Sequence, residues 1–99
     1  MTLLLWLGIA CGEQTCDEMT GLDADACRHE EIRASSDAAV VLQTAQAIDD
    51  PIVRGTAVTE WVSAHKNEVQ QADGLALCDL LEHPEKGVCR RRLQAAHLQ

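Results

Sequence analysis

Apolar residues recur at helical spacing along most of the chain, and no segment alternates between apolar and polar as a half-buried strand does. Residues 13–20 are read as a short first helix carrying Cys16, and Thr20-Gly21-Leu22-Asp23 as a turn. Residues 24–49 contain neither Gly nor Pro. Within them Cys27, Glu31, Ala34, Ala38, Val41, Ala45 and Ile48 follow steps of four and three, a face that is apolar apart from Glu31. This predicts one long helix with a weak point at Ser35-Ser36-Asp37, where Ser and Asp could instead stop one helix and cap a second. Asp50-Pro51 is the clearest helix start, because Asp accepts from the free N–H groups of a first turn and Pro fits the first helical position. The helix that follows carries Val58, Trp61, Val62, His65, Val69 and Ala72 on one face, until Asp73-Gly74 interrupts it. Residues 75–82 resume a helix with Leu77, Cys78, Leu80 and Leu81, and His83-Pro84 with Lys86-Gly87 turns the chain. Residues 88–97 form the last helix, striped by Cys89, Leu93 and Ala96. The predicted fold is all-α, a small bundle of four to five helices, with residues 16–99 as a single helical domain.

Residues 2–10 are apolar and end at Cys11-Gly12. Such a run is too short to span a bilayer, which takes about 20 residues, but it has the length of a signal-peptide core. Ile9-Ala10-Cys11 resembles the end of a bacterial lipobox, although Gly8 sits where a Leu is usual and no Lys or Arg precedes the run. The resemblance covers residues 1–12 only. It implies a signal peptide over residues 1–10, a lipid on Cys11, and a short tether over residues 11–15. It also implies a place in the bacterial cell envelope, with Gly12 directing the protein to the outer membrane, facing the periplasm.

Composition makes cross-links valuable. The 99 residues include no Phe and no Tyr, and Trp61 is the only aromatic ring beyond the apolar N-terminal run. A chain of this size buries a modest core and often needs a covalent staple. Five cysteines are present, an odd count for an exported protein, and lipidation of Cys11 would remove the unpaired thiol. The other four form two matched segments, Cys16-Asp17-x-Met19 running to Cys27-Arg28 and Cys78-Asp79-x-Leu81 running to Cys89-Arg90. Each places a cysteine on one helix, then a turn, then a cysteine near the start of the next. That geometry lets the Cβ atoms reach the ~3.8 Å a disulfide needs. The favoured pairing is local, Cys16–Cys27 and Cys78–Cys89, giving two stapled helix hairpins at roughly 3 kcal/mol each in the chain-entropy model. Four cysteines allow three connectivities. The crossed set Cys16–Cys89 with Cys27–Cys78 resembles the twin-cysteine helical hairpins of the mitochondrial intermembrane space, which use shorter spacings. In either half the Met or Leu packs beneath the bridge, and the Arg answers the Asp.

Net charge is −8, and residues 12–50 hold ten acids against Arg28 and Arg33. A nucleic acid or an anionic lipid surface needs a basic footprint, so neither is an expected partner. Arg90-Arg91-Arg92 is read as a solvated helix face. His65 on the apolar face is read as a core histidine with one hydrogen bond. Asp50-Pro51-Ile52-Val53-Arg54 with Ala57-Val58 resembles the opening of the second helix of a HEAT-type repeat, over residues 50–58 only, with no second copy.

Chemistry is scarce. There is no Cys-x-x-Cys, no phosphate loop and no nucleophile elbow, so no catalytic residue, enzyme activity or cofactor is expected. The rival reading is a metal-binding module built from Cys27, His29, Cys78, His83 and Cys89. The favoured one is a non-enzymatic, lipid-anchored, disulfide-stabilised protein that offers a helical surface to an envelope protein.

Overall fold

A computed structural model describes residues 15–97 of the protein, so Cys11 and the lipobox-like segment lie outside the described residues. A 3-10 turn at Cys16–Glu18 leads into helices α1 (Gly21–Ala34), α2 (Ala38–Gln46), α3 (Pro51–His65), α4 (Gln71–Cys78) and α5 (Glu85–His97). Among the described residues there is no strand, and the fold is all-α.

The long helix expected over residues 24–49 is two helices. Ser35 ends α1 in extended geometry, and the Asp37 side chain accepts from Ala39 N at 2.9 Å to cap α2. The break is held from outside, since Trp61 Nε1 donates to the Ser35 carbonyl at 2.8 Å and satisfies a terminal acceptor of α1. Splitting the helix resets its phase. Val41, Ala45 and Ile48 are buried as expected, but Glu31 and Ala34 are exposed, and α1 buries Ala24, Asp25 and Ile32 instead. The turn expected at Thr20–Asp23 shrinks to Gly21, whose φ of +60 requires a glycine before α1 proceeds.

Asp50 caps α3 as expected, accepting from Ile52 N at 2.8 Å with Pro51 in the first turn. Asp73-Gly74 does not break a helix. The break falls earlier, at residues 66–70, and Gly74 lies inside α4 because a Cβ there would sit 2.5 Å from Leu93 Cδ2. Gly74 is thus a close-approach glycine that lets α5 pack against α4. Similarly, α5 begins at Glu85 rather than residue 88, so Lys86-Gly87 is helical.

Helix α3 is central and packs against α1, α2, α4 and α5. Its Ala57, Val58, Trp61 and Val62 meet Ile32, Val41, Ala45, Ile48, Leu77, Leu81 and Leu93 in one core. Trp61 is the one large ring in that cluster; its other members are aliphatic apart from Cys78 and Cys89.

The α2–α3 loop is clamped by three side chains. The buried Asp25 accepts from Asp49 N and Asp50 N, each at 3.1 Å. Arg54 donates to the Ile48 carbonyl through Nε (3.2 Å) and Nη2 (3.0 Å), and Arg28 donates to the Ala47 carbonyl at 3.3 Å. Loop N–H and C=O groups that no helix can satisfy are therefore satisfied by α1 and α3.

Candidate functional site

The two cysteine segments fold into matching clasps. Cys16 is bonded to Cys27 and Cys78 to Cys89, with Cα atoms 5.5 and 5.6 Å apart and a sequence separation of 11 in each case. The local pairing is thus the one present. Each bridge is flanked by the ion pair that the repeat implies, Arg28–Asp17 at 2.9 Å and Arg90–Asp79 at 2.7 Å. These pairs are partly exposed, so each contributes below about 1 kcal/mol; their role is to fix the turn beside the bridge. The clasps differ in their frames. Cys78 ends α4 and Cys89 lies on α5, so the second bridge joins two α-helices. Cys16 sits on the 3-10 turn, so the first joins that turn to α1. Leu81 is buried in the same cluster as Cys78 and Cys89, whereas Met19 is half-buried.

A groove of about 420 Å³ runs between α3 and the α4–α5 turn. Pro51, Ile52, Gly55 and Thr59 line one wall, and Leu80, Leu81, Glu82 and Glu85 the other. It continues past Thr59 and Glu85 into a smaller hollow of about 210 Å³ bounded by Val62, Val88 and Arg92. Ile52, at 78% exposed, stands at its edge. The whole second wall, residues 80–85, falls inside the loop closed by Cys78–Cys89, so that bridge restrains the groove's shape. Arg92 of the basic run faces the hollow, and Arg90 pairs with Asp79.

The residues of the metal reading do not converge. Cys27, Cys78 and Cys89 are in the disulfides, and His83 lies exposed on the α4–α5 turn. His29 turns to α3, where its Nε2 lies 2.9 Å from Glu60 Oε1. His65, expected as a core histidine, is half-buried and lies outside the core cluster. Its ring stacks on the Trp61 indole at 4.2 Å, and its Nδ1 donates to the Trp61 carbonyl at 2.9 Å.

Glu60 also accepts from Arg33 Nε at 3.2 Å, and Arg33 reaches Glu30 at 2.8 Å. The hydrogen bond from Arg33, followed by the one from His29, holds the Glu60 carboxyl below its usual range. A depressed carboxylate pKa stabilises the fold above the unfolded-state pKa, and that stability is lost as pH falls through the folded-state value. The pair is half-exposed, so the effect is small. Glu60→Gln is expected to lower Tm by a few degrees at neutral pH, and the difference from wild type should vanish on acidification through the carboxylate range. Thermal melts of both proteins across pH check this; a pH-independent difference would contradict it.

Comparison with known proteins finds no matching family model, no matching curated sequence and no matching solved structure. Among the described residues no helix is long and apolar enough to cross a membrane. Sequence reasoning missed the groove and the Glu60 network. Both join residues on different helices, and neither leaves a local spacing signal.

Proposed function

We propose that the chain is a non-enzymatic, lipid-anchored, disulfide-stapled helical protein of the bacterial envelope, and that the groove along α3 is its docking face for another envelope protein. The observation that carries the docking reading is the pairing of the exposed Ile52 with a groove wall enclosed by the Cys78–Cys89 loop. A wall restrained by a covalent bridge loses less freedom when a partner binds, which favours affinity. The clasps act as staples for the α4–α5 hairpin and for the turn before α1. The Cys11 thiol would carry the lipid, with acyl chains anchoring the domain through the short tether. Sorting by Gly12 would leave the domain on the outer membrane, facing the periplasm.

A photo-reactive side chain placed at Ile52 tests the docking face. It should give one discrete cross-linked product in membranes of the producing cells. The same group at Leu22, 70% exposed on α1 and away from the groove, should give none. Equal labelling from both positions, or none from Ile52, would contradict the docking reading.

A further inference from the structure

We propose that Cys16, Cys27 and Glu31 form a zinc site that opens when the Cys16–Cys27 bond is reduced. Both sulfurs and a Glu31 carboxylate oxygen lie within 4.8 Å of one another, and no other such group of three potential ligands occurs among the described residues. Cys27 and Glu31 are four residues apart on α1, so their side chains share one face. Cys16 arrives from the 3-10 turn, which is also tied to α1 by Asp17–Arg28. A tetrahedral zinc, with Zn–S near 2.3 Å and Zn–O near 2.0–2.2 Å, needs its ligand atoms about 3.5–3.8 Å apart. The two Cα atoms are 5.5 Å apart, and side-chain rotation of the freed thiols would open the sulfurs towards that separation.

The exchange balances. A dithiol reductant gives two electrons and two protons to the bridge, becomes a disulfide itself, and leaves two cysteine thiols. Zinc then displaces both thiol protons to solvent. The Glu31 carboxylate supplies the third ligand, and water takes the fourth position. Metal would thereby replace the covalent staple and keep the turn docked on α1. The second clasp is unsuited to this role. Cys78 and Cys89 are both buried in the core, whereas Cys27 is half-buried and reachable by a reductant, and among the described residues no third ligand accompanies the Cys78–Cys89 pair. The inference is independent of the docking reading.

The test uses the full chain carrying Cys11→Ser, so that Cys11 cannot ligate. The protein is reduced with a dithiol, freed of reductant without oxygen, and titrated with Zn2+ against a chromophoric chelator. Co2+ serves as the spectroscopic probe. One equivalent of Zn2+ per chain is expected, with a thiolate-to-cobalt charge-transfer band. Glu31→Gln alters an exposed side chain and leaves the fold intact; it should weaken binding about tenfold or more. Cys16→Ser with Cys27→Ser should abolish both binding and band. Unchanged affinity in Glu31→Gln, or binding that survives loss of Cys16 and Cys27, would overturn the site.

Discussion

Asp25→Ala is expected to remove about 3–5 kcal/mol of stability, a large part of what holds a domain of this size. The carboxylate is 3% exposed and receives two backbone N–H groups, from Asp49 and Asp50, at 3.1 Å each. Hydrogen bonds to a charged group contribute about 1.5–3 kcal/mol each, and truncation leaves both donors without a partner. The loss also spreads to the start of α3, because Asp50 is its capping residue and its backbone is oriented by Asp25. Asp25→Asn preserves the volume but offers one acceptor to two donors, so it should lose at least one of the bonds. Urea denaturation of the three proteins measures the effect. A loss below about 1 kcal/mol for the alanine variant would show that the clamp is dispensable.

Removing the Cys78–Cys89 bridge with a pair of alanines should cost about 4 kcal/mol, against about 3 kcal/mol for the Cys16–Cys27 bridge. The loops are equal, with a sequence separation of 11 in both, so the chain-entropy contribution is the same, about 3 kcal/mol for each. The difference comes from packing. Both sulfurs of the second bridge belong to the core alongside Leu77, Leu81 and Leu93, and truncation there leaves a cavity costing about 1 kcal/mol more. The first bridge lies outside that cluster, with Cys16 buried on a three-residue turn and Cys27 only half-buried. Denaturation of the two double variants checks the order; equal losses, or a greater loss at Cys16–Cys27, would contradict it.

What could be read from the chain without its fold depended on whether the signal was local. The Asp50-Pro51 start, the Val58/Trp61/Val62 part of the α3 stripe and the Cys89/Leu93 stripe of α5 follow from residues within a few turns and are present, whereas the stripe of α3 does not run on past His65, since Val69 lies in the turn and Ala72 is exposed on α4. The bridges and their Arg–Asp partners were legible because each segment appears twice with one spacing. The phase of α1 was not. In the sequence an apolar stripe runs on across Ser35–Asp37, whereas the Trp61 indole N–H fixes a break there from 26 residues away. Gly74 reads as a helix breaker until Leu93 is seen against it. Asp25 was one acid among many in the N-terminal half. Its partners lie 24 and 25 residues on, too far for any periodicity to mark it.

The most direct measurement is the intact mass of the protein extracted from the membranes of its producing cells, before and after reduction and alkylation. A mass that lacks residues 1–10, carries acyl chains, and gains four alkyl groups only after reduction is expected of a lipoprotein held by two disulfides. An uncleaved, unacylated chain whose thiols alkylate without reduction would contradict both the anchor and the staples.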